Sequence, residues 1–191
     1  DGLILLSGGP EGPIGKLLLA GKFSDSMDLS QEFKGIFGDR FYIEIQRHLS
    51  ESGVYLDKEK FTEADFLKIA YEEDIPIVAT NDVYFLEKDM FDAHDALMCI
   101  ADGDFVDQRK EKDRLTRNHH FASQDEMTEV FQDLPEAIEN TIEIAKRCAF
   151  KVKKREPILP KFATNEVDEL RKQAHIGLEE RMKNRELSAK K

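Results

Sequence analysis

The side chains able to do acid–base or metal chemistry are few and scattered along this chain. Asp82 is the best placed of them. It follows the apolar run Ile77-Val78-Ala79-Thr80 almost directly, where a parallel strand passes into a loop and α/β proteins gather ligands and catalytic groups. A lone carboxylate is not a catalyst, because two-metal and acid–base chemistry both need partners. Glu44 and His48 lie at the end of another strand-like run and are the nearest candidates to line the same edge; the plainer reading of His48 is a hydrogen-bonded strand terminus. His94 comes two residues after Asp92 and five after Asp89, on a segment with helical spacing. A packing or capping role outweighs a ligand role there. His119 and His120 adjoin, so an extended backbone points their rings apart, and no Cys or carboxylate pattern completes a zinc set. They read as a surface loop.

The loop from Gly8 to Lys16 invites a phosphate-binding reading, since it is glycine-rich and ends in Gly15-Lys16. A P-loop needs a glycine five residues before that pair and a Ser or Thr after it; here Pro10 and Leu17 stand in those places. The loop therefore reads as a tight strand-to-helix turn. No Gly-x-Ser-x-Gly or His-Glu-x-x-His pattern occurs.

The elements that must hold these residues alternate between strand and helix. Leu3 to Leu6 is an all-apolar run that suits a buried strand. Ile14 to Leu19 and Gln31 to Phe37 predict short helices around a turn region from Gly21 to Asp28. Phe41 to Gln46 alternates with period two and predicts a strand. From Asp57 to Glu73, Phe61, Ala64, Leu67, Ile69 and Ala70 largely follow helical spacing. Pro76 to Thr80 is the next strand, which makes a parallel strand–helix–strand unit. A helix from about Asp89 to Asp102 ends at Gly103, and Asp104 to Asn118 is charged and aperiodic, as an exposed loop is. Ser123 and Glu126 form a capping-box pattern, and Pro135 opens a longer helix running to about Cys148. Lys151 to Arg155 is a basic run, and Pro157 to Pro160 is an extended connector that its prolines keep from being helical. A charged helix from about Val167 to Leu187 reads as the start of a further domain.

Composition sets the outer limits. The chain has 191 residues, 40% hydrophobic and 35% charged, with a net charge of −11. It is long enough for one domain with a real core and a small appendage. No stretch reaches the roughly 18 apolar residues of a membrane span. The acidic balance argues against a broad non-specific DNA-binding face. Cys99 and Cys148 lie far apart in helical contexts and fit reduced thiols in a cytoplasmic setting. The chain opens without Met on a strand, as if cut from something longer. Uncovered strand edges would then favour self-association and lower the stability of this piece alone.

Six blocks carry a resemblance. Gly2 to Gly9, Phe41 to His48, Ile77 to Leu86, Asp92 to Ile100, Asp133 to Cys148 and Ile158 to Phe162 stand in an order similar to the PHP (polymerase and histidinol phosphatase) domain of DNA polymerase III alpha subunits, the C-family replicative polymerases of bacteria. The resemblance covers most of residues 1 to about 165. It implies an α/β fold that is part of a seven-stranded PHP-type (β/α) barrel, with residues 1–150 as the later part of that domain. Residues 151–165 would then be the connector, and 166–191 the helical start of a palm-side domain.

It also implies the state of the site. Metal-binding members carry Ser-Gly-Cys after the first strand and Asn-Asp-x-His after the later one; this chain has Ser7-Gly8-Gly9 and Asn81-Asp82-Val83-Tyr84. Asp82 is kept, Gly9 has no donor, and the phenol of Tyr84 is a poor ligand near neutral pH. The resemblance therefore implies a metal-free, non-catalytic PHP domain that serves as a structural platform and docks the proofreading exonuclease and other replisome subunits. Magnesium would belong to the palm of a parent that contacts DNA. Two alternatives stay open: a stand-alone metal-dependent phosphoesterase of the same superfamily, and a residual site in which Glu44, His48 or His94 joins Asp82.

Overall fold

A computed structural model of the protein describes residues 2–50, 52–106, 115–155 and 160–189. The middle of the expected 104–118 loop and Pro157 to Leu159 of the connector lie outside those residues. The chain divides into two compact units, Asp1–Ala149 and Phe150–Lys191.

The first unit is built on a parallel sheet. Strands β1 (Leu5–Leu6), β2 (Phe41–Gln46) and β3 (Ile77–Thr80) lie side by side in that order. Leu5 pairs with Phe41, and Ile43 with Ile77. The central strand is buried along five of its six residues, as a parallel strand covered on both faces must be. Helices α1 (Pro13–Leu19) and α2 (Phe23–Phe37) connect β1 to β2, and α3 (Asp57–Glu72) connects β2 to β3. Ile14, Leu18, Phe41, Ile43, Phe66, Ile69, Ile77 and Phe131 form one core. Full burial of each such side chain stabilises the fold by about 1.5–3 kcal/mol.

Three expectations change in detail. The first strand is shorter than Leu3 to Leu6, and Leu3 is exposed. The stretch expected as a turn from Gly21 to Asp28 is mostly helix, because α2 starts at Phe23. There Ser26 and Ser30 satisfy their hydroxyls on the carbonyls of Phe23 and Ser26, so these buried polar groups are not left unpaired within the helix. In α3 the buried face is Glu59, Thr62, Phe66, Ile69 and Ala70, whereas Phe61 and Ala64 face solvent. Glu59 turns inward to His48, and Thr62 satisfies its hydroxyl on the Lys58 carbonyl of its own helix, so two polar residues occupy the face that apolar counting alone leaves out.

Of the expected seven-stranded barrel, the described residues show only a three-stranded parallel sheet. Helix α6 (Pro135–Arg147) packs on β3, and Asn140 Nδ2 donates to the carbonyl of Ile77 at 2.8 Å. A side-chain amide there takes up a backbone acceptor that a further strand would otherwise engage. Helices α4 (Phe91–Asp102) and α5 (Gln124–Val130) lie between β3 and α6 in the chain. Ser123 and Glu126 form a reciprocal capping box at the start of α5. The second unit contains α7 (Glu166–Ala189). Among the described residues no helix is long and apolar enough to cross a membrane.

Candidate functional site at the strand ends

The C-terminal ends of the three strands converge on Glu44. Its Oε2 accepts from the backbone N–H of Gly8 at 3.0 Å, beyond the end of β1. Its Oε1 accepts from Thr80 Oγ1 at 2.5 Å, on β3, and from Gln46 Nε2 at 3.0 Å. Ser7 Oγ accepts from the backbone N–H of Glu44 at 2.9 Å. One buried carboxylate thus ties all three strand ends together, with both oxygens answered.

A second cluster lies along the same edge and is made of rings. His48 is 1% exposed. Glu59 on α3 receives its backbone N–H and faces its Nδ1, each at 2.6 Å. On the other side of the ring, Nε2 is buried without a partner. The ring of His119 stacks on His48 at 4.0 Å between centroids and 3° between planes. Tyr84 meets His119 edge-on at 6.0 Å and His94 at 5.6 Å. Burial, with His48 and His94 close by, pushes the His119 imidazole down to about 4, against the pull of the Thr116 backbone hydrogen bond. Burial raises the Tyr84 phenol as well, with Asp82 adding to it through charge and a hydrogen bond.

The segment carrying His119 is strapped to the strand ends by its backbone. Tyr84 N–H donates to the His119 carbonyl at 2.9 Å, and Asn81 Nδ2 donates to the carbonyl of His120 at 2.6 Å. Asn118 Nδ2 reaches the carbonyl of Leu49 at 2.8 Å. His119 and His120 were expected on a surface loop and are both buried, at 5% and 7% exposure. Their own side chains point apart, as expected, but each finds a neighbour: the buried His48 for His119 and the partly exposed Glu126 for His120. Sequence reading also passed over Glu59 and Gln46, because a charged residue on a helix and an amide at a strand end look solvent-facing.

The residues brought together do not suit a metal ion. Gly9 has φ +55° and offers no donor, and a Cβ built there would fall 2.5 Å from Gln46 Oε1, the mobile end of a flexible side chain. Tyr84 keeps its proton at neutral pH. Glu44 is committed to three donors and His48 Nδ1 to Glu59. Among the described residues no group of three or more His, Cys, Asp or Glu is placed to hold an ion. A groove of about 750 Å³ opens beside this region, lined by Lys88, His120, Phe121, Ser123 and Glu126 among others. Lys88, the Ser123 backbone and His120 hold the Glu126 carboxyl down at about 2.

Comparison with known proteins places this arrangement. The PHP domain family matches residues 1–48. DNA polymerase III subunit alpha of Caulobacter vibrioides is 49% identical over 193 aligned residues, covering 99% of this chain and 16% of that protein. The subunits of Rickettsia bellii and Pseudomonas fluorescens are 43% and 39% identical, covering 93% and 95% of this chain and 15% of each relative. The chain spans about one-sixth of the length of these relatives. Over almost its whole length, the chain is a homologue of one segment of DNA polymerase III subunit alpha, with PHP-domain sequence at its start.

Proposed function

We propose that this chain is a non-catalytic segment of a replicative DNA polymerase III alpha subunit, in which a degenerate PHP domain serves as a structural and partner-docking platform. The observation that carries the reading is the Glu44 clasp, whose three hydrogen bonds join the strand ends where metal-binding relatives would place ligands. A carboxylate that already accepts three hydrogen bonds has little capacity left for a cation. Gly9 and Tyr84 supply no donor beside Asp82.

On this reading, residues 1–150 are the later part of the PHP domain. Residues 151–165 lead towards the palm, and 166–191 open the palm-side domain. The parent, a cytoplasmic DNA-directed DNA polymerase, would carry the magnesium site of nucleotide transfer in its palm, outside this segment. The partners would be the proofreading exonuclease and other subunits of the replisome.

Calorimetric titration of zinc and of manganese into the full-length subunit tests the metal-free reading. No heat attributable to the PHP domain is expected, and a micromolar site abolished by Asp82→Ala would overturn it. Docking is tested by co-elution of the exonuclease with the full-length subunit. An exonuclease bound equally well after the PHP domain is deleted would sink that part.

A further inference from the structure

The charge of the molecule is unevenly divided. Residues 1–149 contain 32 acidic and 16 basic residues, whereas residues 150–165 contain five basic and one acidic, in a chain of net charge −11. Four of the five cations, Lys151, Lys153, Lys154 and Arg155, fall in one run of five residues. All four are exposed, and none has an ion-pair partner among the described residues, although carboxylates outnumber cations two to one in residues 1–149. The run is neither helix nor strand nor turn. Phe150 and Val152 are interleaved with it and are 84% and 82% exposed.

We infer that Phe150 to Arg155 is a contact site for single-stranded DNA, with the four cations on the phosphate backbone and the Phe150 ring stacked on a base. Unpaired cations release counterions when they meet phosphates, which favours association. An exposed aromatic among cations is the side-chain set that binds single strands without sequence preference, because every base has a π-face. The acidic remainder does not forbid this, since charges beyond about 10 Å are largely screened at 0.1 M salt. An acidic protein surface would use the same cations but has no need of the exposed ring. The inference goes beyond the platform reading and does not depend on it.

The test is fluorescence anisotropy of a labelled oligothymidylate with the full chain, from about 50 to 200 mM salt. Four phosphate contacts predict a slope of log K against log salt of about −3. Lys151→Gln/Lys153→Gln/Lys154→Gln/Arg155→Gln should weaken binding at least tenfold at the low-salt end and flatten the slope. Phe150→Leu should weaken it several-fold without changing the slope. Arg171→Gln/Lys172→Gln/Arg181→Gln/Lys183→Gln, which removes four cations from α7, should leave binding intact. No binding by the unaltered chain overturns the inference, as does an equal loss with the α7 variant. Full binding by Phe150→Leu would point instead to a polyanion site open to acidic proteins, and would overturn the assignment to single-stranded DNA.

Discussion

Two buried polar clusters share the strand-end edge and solve the same problem in opposite ways. Around Glu44, both carboxylate oxygens are met by donors from three different strand ends, so the cluster closes on itself. Around His48, the Nδ1 side is fixed by Glu59 while Nε2 has no partner, and His119 covers the ring face without offering it a hydrogen bond. Burying a polar atom unanswered costs about 1–3 kcal/mol. The Glu44 cluster therefore holds the sheet together, and the imidazole cluster is the weaker joint along the same edge.

That comparison breaks most sharply at Glu44. Glu44→Ala strands the Gly8 N–H and the Thr80 hydroxyl and should lower unfolding free energy by roughly 3 kcal/mol or more, read by urea denaturation of the full chain. A loss under about 1 kcal/mol would mean the strand ends are held by something else. His48→Phe keeps a ring against His119 and removes the unanswered nitrogen, but strips Glu59 Oε1 of its ring partner while leaving Oε2 on the backbone N–H; the net loss should be smaller, about 2 kcal/mol. If it exceeds the loss for Glu44→Ala, the ranking of the two clusters is wrong.

A gentler probe is pH. The His119 imidazole has a folded value of about 4 against 6.5 ordinarily. The unfolded chain therefore takes up that proton first, so this contribution is complete above about 6.5 and is lost as pH falls towards about 4. His119→Phe should flatten that part of the stability profile, and an unchanged slope would show that another group is titrating. The smallest effect is expected at Ser123→Ala, which removes the α5 cap on the far side of the strap and should cost about 1 kcal/mol. Because that site touches neither cluster, its cost should add to that of Glu44→Ala without coupling.

How much of this was legible follows from what local patterns encode. The strand Phe41 to Gln46, the capping box at Ser123 and the stop at Gly103 rest on neighbours in sequence, and the structure places them where the pattern does; the strand expected from Pro76 to Thr80 begins one residue later, at Ile77. Helix α2 was missed at its start, because Ser26 and Ser30 resemble turn residues until their hydroxyls are seen on helix carbonyls. The buried face of α3 was misjudged for a related reason: Glu59 reads as solvent-facing, yet it turns inward to meet His48, eleven residues away. The positions of Glu44, His48 and Asp82 in or just past strands follow from the strand patterns. Their partners do not, since Gly8, Thr80 and His119 come from distant parts of the chain and no spacing rule links them.

The turn after β1 has a consequence for genetics. A methyl group at Gly12 would stand 2.0 Å from the Ser7 carbonyl oxygen, and one at Gly15 would stand 2.3 Å from that of Gly9. Both obstacles are backbone and cannot swing aside, so the smallest coding change, glycine to alanine, forces this loop to move. Random mutagenesis of the gene should yield temperature-sensitive alleles at codons 12 and 15, while alanine at Gly35, where open space surrounds the added carbon, passes unselected.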